Sequence, residues 1–171
     1  MKRILVLMAV VIFSGNPVAA QEAVAVNQAG SPLRIDSYSA AYNAGGRYTT
    51  EGINHSVSVF NAGDEDVVAY QIRFVSFDAF NEDMGRPLGG VSVDTVPVGG
   101  LAKGTWTHRA YAAFAFEKYG TGVAYVSKAR LADGTVWTAD QNFVLRELQK
   151  IKSDLTSEIF ESAESGSGPT P

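Results

Sequence analysis

Apolar and polar residues alternate along most of the chain between positions 33 and 139, with the period of two that is typical of half-buried β-strands. The strongest run places four large apolar residues on one strand face: Val68, Tyr70, Ile72 and Phe74. Turn signals rich in Gly, Asn and Asp separate the runs. The pattern predicts about seven strands without intervening helices. The expected fold class is therefore mainly β, an antiparallel β-sandwich over residues 33–139.

The same alternation assigns side chains to the two faces of each strand. In the first run, Leu33 and Ile35 are predicted to face one way, with Tyr38 on the opposite face. Ile53, His55, Val57 and Val59 alternate with mostly polar residues, which predicts one buried face of a further strand. Gly89 and Gly90 interrupt a weaker strand and favour an edge position for it, and Asp133-Gly134 is a hairpin signal.

A later run is predicted to form a single inward face from Val123, Tyr125, Ala129 and Leu131. Residues 21–32 are small and polar, and we expect them to be a flexible lead-in.

The period changes after Asp140, which is a good helix N-cap. Five apolar residues then recur at spacings of three or four: Val144, Leu148, Ile151, Leu155 and Ile159. This stripe predicts a C-terminal amphipathic α-helix over residues 140–161, which either docks on the sandwich or pairs with another helix. Residues 162–171 are rich in Ser, Gly and Pro and are predicted to be a disordered tail.

The N-terminus has the pattern of a secretory signal peptide over residues 1–20. Lys2 and Arg3 precede the apolar run 4–13, and Val18-Ala19-Ala20 supplies small residues before a cleavage point. The apolar run is much shorter than the roughly 20 residues that cross a bilayer as a helix. We therefore expect cleavage, export to the periplasm or the medium, and no integral membrane segment afterwards.

Charge and cysteine content narrow the function classes. The chain has 14 basic and 18 acidic residues, and removal of the predicted signal peptide leaves 12 against 18. This acidic balance disfavours a nucleic-acid partner. The absence of Cys excludes disulfides and thiolate metal sites.

Two short motifs resemble a known group of exported domains. Phe74-Val75-Ser76-Phe77-Asp78 resembles the F-x-L-Y-D signature of FxLYD-type bacterial domains, and Asp133-Gly134-Thr135-Val136-Trp137 resembles the DGT-x-W ending of related uncharacterised exported domains. The resemblance covers about residues 50–140 and implies an immunoglobulin-like sandwich without catalytic residues. It gives structural roles to six positions: Phe74, Phe77, Asp78, Asp133, Gly134 and Trp137.

Candidate chemistry is concentrated in one polar loop. It contains Asp78, Asn81, Glu82 and Asp83. Asp78 can close the loop as an Asx turn, and oxygen-rich loops of this kind can hold calcium, which takes about six to eight oxygen ligands. The two histidines, His55 and His108, occur in predicted strands, where a core or edge position is the simpler interpretation of each.

These features favour an exported, non-enzymatic immunoglobulin-like module that binds a protein or another component of the cell envelope. No metal site or catalytic residue is assigned, and no cofactor is expected; calcium at the 78–83 loop is the alternative, although solvated turn residues are the simpler interpretation. One alternative is a metal-dependent or hydrolase-like enzyme that uses the 78–83 loop and a histidine. Another is a structural subunit that self-associates through the C-terminal helix, and that dissociates when Leu148 and Leu155 are changed to Lys.

Overall fold

A computed structural model of the protein describes residues 21–47, 50–85, 87–109 and 118–161. The predicted signal peptide and the predicted tail 162–171 lie outside these residues. Within the described ranges the chain forms eight strands and two short helices. The elements are β1 (Glu22–Val26), β2 (Leu33–Asn43), β3 (Gly52–Asn61), β4 (Val67–Asp78), β5 (Leu88–Ser92), β6 (Leu101–Arg109), β7 (Tyr119–Leu131), β8 (Val136–Thr138), α1 (Gln141–Leu148) and α2 (Glu158–Glu161).

The strands form two sheets, so the prediction of a mainly β fold is confirmed. The large sheet has the order β1-β7-β4-β5, and β8 pairs with β7 beyond the end of β1. The small sheet has the order β2-β3-β6. All pairs are antiparallel except β1 with β7, which is parallel. The parallel pair departs from the purely antiparallel arrangement that we expected.

The main core lies between the two sheets. Phe74 and Ile72 of β4 meet Val57 and Val59 of β3, and Trp106 of β6 packs against the cluster. The predicted inward face of β3 is confirmed, because Ile53, His55, Val57 and Val59 are all buried. β5 lies at an edge of the large sheet, as its two glycines predicted.

A second core lies on the other side of the large sheet, beneath residues 140–161, which we call the C-terminal segment. Val75 and Phe77 of β4 and Val123 of β7 pack there against Leu148 and Leu155. The large sheet is therefore covered on both faces, which explains why β4 and β7 carry long apolar stretches. The predicted apolar stripe contacts the protein's own sheet.

The prediction of one helix over residues 140–161 is wrong. α1 ends at Leu148, and within residues 149–161 only the four residues of α2 are helical. Ser153, Asp154 and Thr156 follow α1, and such side chains compete for backbone hydrogen bonds and disfavour a helix interior. The Gln149 side chain donates to the Leu155 carbonyl oxygen at 2.9 Å and fixes the turn. Among the described residues, neither helix is long and apolar enough to cross a membrane.

The predicted lead-in 21–32 also differs from the structure, because it contains β1. Val24 and Val26 add to the second core, and β1 pairs with β7 over five positions. Its partner lies about a hundred residues later in the chain. A strand of this length whose partner is so distant leaves little periodic signal in the sequence.

Two β-bulges change which side chains face the core. The register between β2 and β3 shifts between Ile35 and Ser37, so Tyr38 faces inward instead of outward. The register between β4 and β7 shifts at Ser127. The predicted single face of β7 is therefore divided: Val123 and Tyr125 contact the C-terminal segment, and Ala129 faces the small sheet. An inserted residue reverses every later side chain, which a strict period of two cannot anticipate.

Candidate functional site

The predicted site loop is held together by its own side chains. Asp78 Oδ1 accepts hydrogen bonds from the backbone amides of Phe80 at 2.8 Å and Glu82 at 3.0 Å, which confirms the predicted Asx turn. Asn81 has a φ of 63°, a left-handed conformation that Asn tolerates well. Asp83 Oδ1 accepts a hydrogen bond from the amide of Gly85 at 3.2 Å. Two of the four predicted binding residues, Asp78 and Asp83, thus have structural roles.

Glu82 forms an ion pair with Lys152 of the C-terminal segment. This contact raises the pKa of Lys152 above its ordinary value. The loop and the segment border an open groove of about 320 Å³ that includes Asp83, Lys152 and Leu155. In the described part of the chain, no group of three or more His, Asp or Glu side chains lies close enough to hold a metal ion. The loop places Asp78, Asn81, Glu82 and Asp83 near one another, and calcium binding there stays a prediction.

Phe74 and Phe77, two residues of the F-x-L-Y-D-like motif, lie on opposite faces of β4. Phe74 packs in the main core, while Phe77 packs in the second core beneath the C-terminal segment. Both side chains are almost fully buried. These two aromatic residues therefore pack the three layers together: the small sheet, the large sheet and the C-terminal segment.

The second motif forms the hairpin between β7 and β8. Asp133 Oδ1 accepts from the Thr135 amide at 2.7 Å, and its Oδ2 accepts from the Thr135 hydroxyl at 2.8 Å. These bonds lower the pKa of the Asp133 carboxyl. Gly134 has a φ of 92°, so a side chain there would be strained. The Asp-Gly hairpin predicted from the sequence is confirmed.

A wide groove of about 780 Å³ runs beside this hairpin. We call it the hairpin groove. Trp137 and Val136 of β8 line one part, together with Leu131 at the end of β7. Its other walls are the turns at residues 30–32 and 62–65. Val136 is exposed, while Trp137 is half-buried against the main core. The groove thus offers an aromatic and aliphatic surface between the ends of the two sheets.

The edge of β8 is open along this groove. Among the described strands, β8 pairs only with β7. The Thr135 carbonyl oxygen accepts from the Leu131 amide at 2.8 Å, and the Ala139 amide donates to the Ser127 carbonyl oxygen at 3.0 Å. Because alternate residues of an antiparallel strand face the same neighbour, Val136 and Thr138 direct their backbone groups away from β7. The hairpin groove therefore borders an unpaired strand edge.

Acidic side chains lie on the rim of the hairpin groove. Asp64 and Glu65 are exposed and line it, and neither forms an ion pair with a described residue. Asp66, beside them, accepts a hydrogen bond from the Val98 amide at 2.9 Å and fixes the turn. No local signal in the sequence connects this acidic turn with Trp137, since the two are about 70 residues apart in the chain.

His55 lies in the core, as its strand position suggested, and is 0% exposed. Its ring stacks on Phe74 with ring centres 4.3 Å apart, and its Nδ1 lies 3.0 Å from the Tyr38 hydroxyl. Burial, together with His108, lowers the pKa of His55 to about 3. His55 is therefore a neutral core residue at neutral pH.

Buried polar atoms surround His55 at this end of the core. No described residue is a hydrogen-bond partner for His55 Nε2 or Ser76 Oγ. Burial raises the pKa of Tyr119 to about 12, so its phenol is neutral. The hydroxyls of Tyr38 and Tyr119 both lie where a side chain on Gly122 would project. Glycine at position 122 therefore makes room for the two rings.

No family model and no curated protein matches this chain. One similar solved structure is a target of the Northeast Structural Genomics Consortium, 13% identical, covering 63% of this chain and 80% of that chain with a TM-score of 0.43. Another is a hypothetical protein from Peptoclostridium difficile 630, 11% identical, covering 72% of this chain and 92% of that chain with a TM-score of 0.41. Likenesses this weak support no conclusion about function, and the FxLYD-type resemblance stays a prediction.

Proposed function

We propose that the protein is an exported, non-enzymatic binding module that takes an extended segment of a partner protein into the hairpin groove. The observation that supports this proposal most strongly is the unpaired edge of β8 beside Trp137. Recognition by strand addition uses such an edge for affinity and neighbouring side-chain pockets for specificity. The partner is a component of the cell envelope.

Export and the immunoglobulin-like arrangement belong to the same proposal. Lys2, Arg3 and the apolar run 4–13 support cleavage of a signal peptide. Two sheets that enclose one core support an immunoglobulin-like sandwich, to which β1 and the C-terminal segment are additions. The F-x-L-Y-D-like motif at residues 74–78 is consistent with membership of the FxLYD-type group.

The groove also favours a particular kind of segment. Val136 and Thr138 each offer one backbone amide and one carbonyl oxygen to an added strand. Trp137 offers apolar surface to the side chains of that strand that lie on its own face of the sheet, which are every second one. Asp64 and Glu65 attract positive charge at the rim. The expected partner segment is extended and alternates apolar with basic side chains.

A titration followed by amide NMR tests the proposal with a defined probe. The probe is a short peptide of alternating lysine and valine, blocked at both ends, and the control peptide has glutamate in place of lysine. We expect the lysine peptide to shift the amide signals of β8 and of the 62–65 turn. The glutamate peptide should bind at least about tenfold more weakly, because the rim is acidic.

Val136→Pro is the decisive variant. Proline removes the amide hydrogen of residue 136, which points away from β7, and proline is tolerated at such edge positions. We expect this variant to lose probe binding and keep its melting temperature, while Val136→Ala retains binding. Asp64→Asn should weaken binding. Asp154→Asn, which lies in the groove between the 78–83 loop and the C-terminal segment, should not. Equal binding by Val136→Pro and the wild type would refute strand addition.

A further inference from the structure

A small notch opens on the outer face of the large sheet and adjoins the hairpin groove at Thr138. It has a volume of about 60 Å³, roughly the volume that two molecules occupy in liquid water. We call it the outer notch. It is lined by Gln71, Arg73, Pro87, Tyr125, Ser127, Lys128, Thr138, Ala139, Gln141 and Phe160. Two of these side chains are cations and none is an acid, although the chain as a whole is acidic.

Hydrogen bonding fixes the orientation of Gln71 in the notch. The Ser127 hydroxyl lies 3.1 Å from the main-chain oxygen of Gln71 and 3.1 Å from its side-chain Oε1. Because Oε1 accepts from the hydroxyl, the amide Nε2 is directed away from Ser127 as a donor. The Ser127 bulge therefore presents a hydrogen-bond donor at this surface.

Gly89 of β5 brings this donor next to the guanidinium of Arg73. A Cβ on residue 89 would lie 3.2 Å from Gln71 Nε2 and 3.4 Å from Arg73 Nη1. The two groups share the space that a larger residue would occupy. Arg73 lies opposite Gly89 in the β4–β5 ladder, and Gln71 lies opposite Lys128 in the β4–β7 ladder. The sheet register thus places Gln71, Arg73 and Lys128 on one face.

Tyr125 completes the set of donors. It is only 7% exposed, it lines the notch, and it lies opposite Arg73 in the ladder. Burial raises its pKa to about 12, so it keeps its hydroxyl proton near neutral pH. Neither Arg73 nor Lys128 forms an ion pair with any carboxylate whose side chain the structure describes. The cations are therefore available to an external anion.

We propose that the outer notch binds a compact oxyanion, the phosphate or carboxylate group of a ligand, between Arg73, Lys128, Gln71 and Tyr125. A guanidinium offers paired donors that match the oxygens of both groups, and charge-assisted hydrogen bonds of this kind are strong. The volume admits one such group. One residue, Thr138, lines both the outer notch and the hairpin groove, but the proposal does not depend on strand addition there.

Calorimetric titration of the purified protein with inorganic phosphate and, separately, with acetate tests the assignment. We expect at least one of the two to bind. Arg73→Gln should weaken that binding by at least about tenfold, in line with the loss of a hydrogen bond to a charged group. Lys128→Gln should weaken it less, because Lys128 is exposed. Lys103→Gln, which removes an exposed lysine from the small sheet, is the matched control and should change nothing.

The two anions distinguish the possible ligand groups. Binding of phosphate alone supports a phosphate group, and comparable binding of acetate supports a carboxylate. The proposal is overturned if neither anion binds at millimolar concentration. It is also overturned if Arg73→Gln binds as tightly as the wild type and the Lys103→Gln control. Circular dichroism of each variant verifies that its fold is intact, and Arg73→Lys, which keeps the charge without the paired donors, should recover only part of the affinity.

Discussion

Leu148→Ala tests whether the C-terminal segment is part of the folded unit. Leu148 is 0% exposed and packs in the second core with Phe77 and Val123. Truncation of a fully buried leucine removes apolar contact and leaves a cavity, which costs about 2–5 kcal/mol of the free energy of unfolding. For a domain of this size, that corresponds to a fall of roughly 4–20 °C in melting temperature.

Urea unfolding followed by tryptophan fluorescence is a suitable assay for this variant. Trp106 and Trp137 both pack against the main core, on the opposite side of the large sheet from Leu148. A loss of stability seen by these reporters therefore shows that the segment and the sheets unfold together. Leu101→Ala, the same change at an exposed site, should cost less than about 0.5 kcal/mol. If Leu148→Ala costs no more than this control, the segment is not docked as described.

Three further predictions concern single residues. The pKa of His55 is lowered from its ordinary value of 6.5 to about 3 in the folded protein. Between these two values, the unfolded chain binds a proton on His55 that the folded protein does not bind. The free energy of unfolding is therefore at its full value above about pH 6.5 and falls as the pH is lowered, by about 2 kcal/mol at about pH 5. His55→Gln should reduce the difference in unfolding free energy between neutral and acidic urea titrations by this amount, and an unchanged difference would contradict the assignment. Gly90→Ala should cost about 1–3 kcal/mol in thermal unfolding, because its Cβ would lie 2.6 Å from the Trp106 ring, whereas Gly89→Ala, facing flexible side chains, should cost less. Asp140→Ala should cost about 1 kcal/mol, because Asp140 caps α1 through the Asn142 amide at 2.9 Å, and Asp140→Asn should keep most of the stability in the same measurement.

The parts of the fold that could be predicted from the sequence are those with local signals. The alternation at Ile53 to Val59 placed β3 correctly, and Asp133-Gly134 located the last hairpin. Asp140 marked the beginning of α1. Each of these depends on residues close together in the chain, where backbone geometry and side-chain chemistry act directly.

The remaining features depend on contacts between distant residues. β1 needs β7 as its partner, and the bulges at Asp36 and Ser127 arise from how neighbouring strands fit together. The apolar stripe was detected correctly as a packing surface, but its spacing could not show that the helix ends at Leu148. A run of apolar residues at helical spacing also suits a short helix followed by turns that return to the same surface.

The same distinction applies to the candidate sites. The loop 78–83 was identified because its polar residues are adjacent in sequence, and its structure shows them bonded largely to their own backbone. The hairpin groove and the outer notch join residues from separate strands and turns. The fold brings Asp64 and Trp137 to the same groove. The register between β4 and β7 places Arg73 opposite Tyr125. No motif in the sequence indicates either of these two sites.

Amide hydrogen exchange at β8 tests the proposed binding edge most directly. In the free protein, the amides of Val136 and Thr138 should exchange much faster than the amide of Ala139, which donates to Ser127 in the ladder. With a saturating amount of the alternating lysine and valine peptide, exchange at Val136 and Thr138 should slow by at least about tenfold, while Ala139 changes little. Protection of Val136 and Thr138 without the peptide, or no added protection with it, would contradict recognition by strand addition.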